Sequence, residues 1–326
     1  MKKFITFLFI FALVIIASFS ALSAQGNKEV DGRVQIGISK LMVHPALDSI
    51  EQGIKDYLNE NGVNAIYETQ SANGEISTAA SIAQLFQTEG KDIVIGIATP
   101  TAQALANVFQ DVPVVYATVT DPDAAGLTGL ENVCGTSDMV PVDKQLEIIE
   151  EVTGVKKLGM IYTSAEANGI TLMEAMQEAC DEAGIELITA SISNSSEVMM
   201  AAQSIIDRVD AMYVSTDNTV ISAISALSSV CMDASVPLFS ADTTSSFGTD
   251  VLMAGGFDYY QSGRLTGEVV KRILDGEDPA QIGTLYLENL EIYVNLDTAE
   301  KLGITIPESL MAQASYIIKD GAEIEI

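Results

Sequence analysis

The sequence predicts an α/β protein built as two doubly wound, parallel-sheet lobes, and three observations carry that expectation. Short β-rich runs alternate with longer segments of helical period from Arg33 onward. The alternation runs its course twice within 326 residues, more than one typical domain holds. Four of the apolar runs end alike, in small polar side chains: "IVIGIATPTAQ" (93–103), "VVYATVTDPD" (114–123), "MYVSTDNTV" (212–220) and "VPLFSADTTSS" (236–246). Buried parallel strands read as continuous apolar runs, and the following helices begin at their carboxyl ends.

In order, "RVQIGIS" is a strand, "ALDSIEQGIKDYLNENG" a helix closed by Gly62, and "VNAIYETQ" a strand. "EISTAASIAQLFQTEG" is a helix closed by Gly90, "DIVIGIA" a strand, "TAQALANVFQ" a helix and "VPVVYATV" a strand. Glycine just past the last periodic residue is the expected helix stop. The βαβαβαβ order implies parallel strands joined by right-handed crossovers, with helices covering both faces. This unit runs to about Asp138.

The second unit repeats the grammar with "KKLGMIYT", "IELITASI", "DAMYVS" and "VPLFSA" as strands. Between them lie the helices "AEANGITLMEAMQEACDEAG", "SSEVMMAAQSIIDRV" and "TVISAISALSSVCMDAS". After "VLMAGGF" comes the helix "YYQSGRLTGEVVKRILDGE", stopped by Gly276 and Pro279, and the tail adds a strand and a short helix. No Pro/Ser-rich tether separates the units. "LENVCGTSDMVPVDKQ" is short and partly strand-like, a structured crossing that permits hinge bending without free tumbling.

The chain opens with "MKK", an apolar stretch from Phe4 to Phe19, and small residues around Ala21 and Ser23. That is the pattern of an export signal spanning residues 1–24, cut near Ser23 or Ala24, and the apolar stretch is shorter than a spanning helix needs. No Cys lies at the junction to take a lipid. The formal charge is −29, and two units more negative without Lys2 and Lys3. So acidic a chain repels phosphate backbones, which excludes nucleic acid as a partner. Cys134, Cys180 and Cys231 sit in apolar or helical contexts and read as small buried hydrophobes rather than a disulfide framework.

In open α/β sheets, ligands bind beyond the carboxyl ends of the strands. Thr99 and Thr101, Thr120 and Asp121, Asp217 and Asn218, and Ser240 and Asp242 all occupy such ends. Singly, each residue suits a helix N-cap or a turn, as Asp121 before Pro122 does. Together, across two facing lobes, they would pool in one cleft. Hydroxyls and helix N-terminal amides stabilise a carboxylate, and an aspartate accepts from an ammonium group, which suits an amino-acid zwitterion.

Enzymatic machinery is missing from the pattern. His44 is the only histidine, and no GxSxG, GxGxxG or P-loop motif is present. "DPDAAGLTGLEN" begins like a calcium loop but places Ala125 and Asn132 where ligating acids belong. No cofactor or metal is expected.

Seven blocks carry a family resemblance: "HPALD" (44–48), "ATPTAQALA" (98–106), "TVTDPDAAGL" (118–127), "TSDMVPVDKQLE" (136–147), "EAN" (166–168), "STDNTV" (215–220) and "YVNLDTAEKLGITIP" (293–307). In this order, from about Val34 to Pro307, the chain resembles the ABC-transporter substrate-binding proteins of the type I periplasmic fold that include tryptophan- and tyrosine-binding members. The resemblance implies two lobes joined by a multi-strand hinge that close on a small ligand, an amino acid, with aromatic ones among the candidates. It implies a monomer that presents this ligand to a membrane permease driven by an ATPase, in the periplasm and without catalysis.

The expected division is 31–138 plus about 256–282 for one lobe and 139–255 plus about 283–326 for the other. By position, His44, Pro45, Thr99, Pro100, Thr101, Thr120, Asp121, Glu166, Asn168, Asp217, Asn218 and Asp242 would line the cleft. Asp217 or Asp242 would take the ammonium, and Thr99, Thr101 and Thr120 with helix amides the carboxylate. Tyr116 and His44 would touch the side chain. Two rival readings are an exported ligand-sensing protein that signals through a membrane receptor, and a hydrolase using an aspartate with His44, for which nothing orients the histidine.

Overall fold

A computed structural model of the chain describes residues 32–288 and 290–326. The expected export signal, residues 1–24, lies outside them. From its first strand the chain alternates β1 (Val34–Lys40), α1 (Pro45–Glu60), β2 (Ala65–Ser71), α2 (Ile76–Glu89), β3 (Ile93–Ile97), α3 (Thr99–Val108), β4 (Val114–Ala117) and β5 (Val133–Ser137). It then crosses and continues with α4 (Val142–Thr153), β6 (Lys157–Thr163), α5 (Ala167–Ala183), β7 (Glu186–Ile192), α6 (Val198–Ile205) and β8 (Ala211–Val214). After these come α7 (Asn218–Ile221), α8 (Ile224–Asp233), β9 (Leu238–Ser240) and β10 (Met253–Phe257).

A second crossing at Asp258 returns the chain to the first lobe as α9 (Tyr259–Leu274), α10 (Pro279–Ile282) and β11 (Thr284–Tyr286). A third leads to β12 (Leu290–Asn295), α11 (Leu296–Leu302), α12 (Glu308–Met311), β13 (Tyr316–Lys319) and β14 (Ala322–Glu325). The first sheet has the order β11-β5-β4-β3-β1-β2 with every pairing parallel. The second has the order β14-β13-β12-β10-β9-β8-β6-β7 and is parallel except at β10–β12 and β13–β14. Thus β10 to Phe257 belongs to the second sheet and β11 to the first, so the crossings fall slightly later than 256 and 283.

Central strands such as β3 and β4 are buried along their whole length, as a sheet covered on both faces requires. α1 begins with Pro45 in its first turn and buries Leu47, Ile50, Ile54 and Leu58, spaced three and four apart. The first lobe has one core of buried aliphatic residues, and the second has separate clusters on the two faces of its sheet. α9 lies against α1 at glycines: a Cβ on Gly53 would meet the Tyr260 carbonyl at 2.2 Å, and one on Gly263 the Ile50 carbonyl at 2.2 Å. That close approach seats α9 beside β4 and β5 and brings Tyr259, its first residue, to the gap between the lobes.

Candidate functional site

The carboxyl ends of strands from both sheets converge on a buried cavity. It is narrow, with about 20 Å³ open to the centre of a water molecule. From the first lobe the β1–α1 loop supplies His44, Ala46 and Leu47, and the segment after β4 supplies Thr118 and Thr120. Asp138 comes from the first crossing and Tyr259 from the second. The second lobe adds Asn168 from the start of α5, Thr216, Asn218 and Ile221 beyond β8, and Asp242 beyond β9. The lobes meet here, with the Thr120 and Thr216 hydroxyls 3.5 Å apart.

Local backbone geometry aims these groups. Thr118 holds φ at +53°, a strained conformation for a β-branched residue, and anchors it by donating its hydroxyl to Ala117 O at 2.7 Å and its N–H to Thr136 Oγ1 at 3.2 Å. Glu166 stands behind the lining and accepts from Asn218 Nδ2 at 2.8 Å, Asn168 Nδ2 at 3.4 Å, and Thr219 Oγ1 and N at 2.6 and 3.1 Å. Asn168 also donates to Thr216 O at 3.0 Å, so both asparagines are fixed from the rear. Asn168 Oδ1 and both ring nitrogens of His44 are buried without a hydrogen-bond partner.

The cavity is acidic, and no Lys or Arg lines it. Burial pushes the Asp138 carboxyl up to about 7, partly offset by the bonds from Thr120 and Tyr259. Asp242 is raised by burial against the opposing pull of His44, and burial in turn lowers His44 below the usual imidazole range. Tyr259 is held well above the ordinary phenol range by burial and by the neighbouring Asp138 and Asp242.

Of the residues expected at the cleft, His44, Thr120, Asn168, Asn218 and Asp242 line the cavity and Glu166 orients two of them. Asp217 lies beneath it. Its carboxylate accepts from Thr163 N at 2.6 Å, Thr163 Oγ1 at 2.8 Å and Val220 N at 3.2 Å, so it ties β6 to the cap of α7 rather than facing a ligand. Thr101 spends its hydroxyl on Ile97 O and Ala98 O, and Thr99 and Pro100 are buried in the first turn of α3 outside the lining. Tyr116 bonds Thr284 Oγ1 at 2.5 Å inside the first lobe, Asp121 accepts Ala124 N within its own turn, and Pro45 is exposed at the start of α1.

Sequence reasoning missed the polar lining groups Thr118 and Thr216 beyond β4 and β8, and also Asp138 and Tyr259 of the crossings. The signal for the last two was an ionisable or hydroxyl group at each of these crossings, in "TSDMVP" and "FDYYQSG". Among the described residues no group of His, Cys, Asp and Glu forms a metal site, and no helix is long and apolar enough to cross a membrane.

Comparison with known proteins agrees with this architecture. The family model described as "ABC transporter substrate binding protein" matches residues 35–318. A tyrosine-binding protein of Clostridioides difficile (strain R20291) is 34% identical over 288 residues, covering 85% of this chain and 83% of the relative. A conserved domain protein from Vibrio cholerae is 36% identical with a TM-score of 0.85, over 88% of this chain and 99% of its own. An ABC domain in complex with L-Trp from Streptococcus pneumonia is 32% identical with a TM-score of 0.84, over 88% and 100%. At the same 32% identity, the ligand-free, open structure of a substrate-binding protein with adhesive properties from Clostridium difficile gives a TM-score of 0.66, over 88% and 99%. With its two-lobed α/β fold, its interlobe cavity and a family match over most of its length, this chain belongs to the ABC transporter substrate-binding proteins, which bind solutes and are not enzymes.

Proposed function

We propose that the chain is the extracytoplasmic solute-binding component of an ABC importer, and that its ligand is a zwitterionic amino acid with an aromatic side chain. The observation that carries this reading is the cavity's polar asymmetry. Carboxylates without any Lys or Arg invite an ammonium group, while the unpartnered imidazole of His44 and the side chains of Thr216 and Asn218 face the same space. These groups, rather than Thr99 and Thr101, take the ligand carboxylate, because the Thr101 hydroxyl already serves its own turn. Ala46, Leu47 and Ile221 offer an apolar wall to the side chain.

The relatives that bind tyrosine and L-Trp support the aromatic preference. The nearer match to the L-Trp complex than to the open, ligand-free structure supports a closed arrangement of the lobes. In solution the ligand stabilises this form by its greater affinity for it, and the closed protein is what the permease and its ATPase receive. The test is a thermal-shift screen of ligand-stripped protein against the common amino acids. L-Tyrosine or L-tryptophan at about a hundred times its dissociation constant adds about 2.7 kcal/mol and raises the melting temperature by several degrees, whereas glycine and aspartate leave it unchanged. If no amino acid moves the transition, the reading fails.

A further inference from the structure

The cavity's two acids are not equivalent. Asp242 accepts the Ser245 backbone N–H at 2.9 Å at a short helical turn, and the His44 imidazole beside it opposes the effect of burial on it. Asp138 has only neutral donors: Thr120 Oγ1 at 3.1 Å on one oxygen and the Tyr259 hydroxyl at 3.4 Å on the other. A carboxylate offers about four acceptor sites and pairs best with a charged donor. Asp138 is 4% exposed, and no cation lines the cavity that it faces.

Its position gives this deficit a consequence. Asp138 follows β5 on the first interlobe crossing, and its bond to Tyr259 joins that crossing to the second. Ser137 beside it donates to Thr120 O at 2.8 Å and receives Leu287 N from the third at 3.4 Å. Thr120 in turn meets Thr216 of the second lobe. All three crossings therefore meet at Asp138 or at Ser137 beside it.

We infer that Asp138 is the residue that reads the ligand's ammonium group, and that this makes the hinge itself part of the binding site. The inference rests on the amino-acid reading above and assigns its charge recognition. A cation beside Asp138 supplies the missing charged donor, holds the carboxylate against Tyr259 and Thr120, and so stiffens the crossings in the closed arrangement. A deaminated ligand leaves that charge buried and uncompensated.

Calorimetry of the full chain with L-tyrosine and L-tryptophan, and with their deaminated analogues 3-(4-hydroxyphenyl)propionate and indole-3-propionate, tests this. Wild-type protein prefers the amino acid, and Asp138→Asn lowers affinity for it by about 10- to 100-fold while affinity for the analogue holds or rises, so discrimination collapses. Asp242→Asn weakens both ligands and keeps the discrimination. Ligand-free Asp138→Asn melts higher than wild type at pH 8, an effect that a merely structural carboxylate would not give, and Asp138→Ser serves if the amide does not fold. Wild-type discrimination retained without the Asp138 charge, or lost in Asp242→Asn instead, overturns the inference while leaving the amino-acid reading standing. Wild-type protein that binds neither amino acid sinks both.

Discussion

His44 shows how a residue's surroundings assign its role: alone after "LMV" it carried no signal of partners, yet it is buried at the cavity with both nitrogens unbonded. Thr101 and Tyr116 show the converse. Their residue types suited a ligand, but one hydroxyl closes its own helical turn and the other is held by Thr284 across 168 positions of sequence. Direction, not type, separates the two cases, and side-chain direction depends on partners that periodicity does not reveal. Asp138 carries the prediction at this scale. Its carboxyl is pushed up to about 7 from an ordinary 3.8, with Asp242 and Tyr259 facing it, whereas burial lowers His44 below the usual imidazole range. Ammonium binding favours the ionised carboxylate, so affinity for L-tyrosine falls as pH drops below about 7, by up to about tenfold per unit for one released proton. In the ligand-free protein the raised carboxyl contributes stability that is fully present below about pH 4 and is lost as pH rises through about 7. Titration calorimetry in buffers of different ionisation enthalpy, with melting curves from pH 5 to 8, checks both directions. Asp138→Asn flattens each dependence.

At the scale of elements, strands and most helices were legible because apolar period and terminal glycines are local signals. The segment "TVISAISALSSVCMDAS" reads as one helix but folds as α7 and α8, with Ala223 at φ −115° between them. Asp217 caps the first piece and Glu166 grips Thr219, so a contact from α5 fixes the direction of α7 before α8 can continue it. The tail carried no signal of the β13–β14 hairpin or of the antiparallel setting of β12, since pairing direction depends on where the chain re-enters the sheet. The α1–α9 contact makes a prediction of its own. Gly263→Ala puts a methyl against the Ile50 carbonyl and lowers stability by about 1–3 kcal/mol, read by urea denaturation. A neutral result would mean that the two helices separate at little cost.

For the whole molecule, the proposed role in transport requires that the lobes close on the ligand. Three crossings join the lobes, and residues of both lobes line the cavity. Small-angle scattering of ligand-stripped protein is therefore expected to give a larger radius of gyration than the same protein with saturating L-tyrosine. An unchanged radius would refute ligand-driven closure. The sequence by itself determined the α/β class, the twofold repetition of the strand–helix grammar and the polar strand ends, because period, charge and turn chemistry act over a few residues. It also carried the family resemblance. Only the tertiary structure decided which polar ends share the cavity, that Asp217 supports while Asp242 faces inward, and that two hinge residues complete the lining. Those outcomes depend on the rotation of one lobe against the other and on hydrogen bonds between residues far apart in sequence, and no local pattern encodes them.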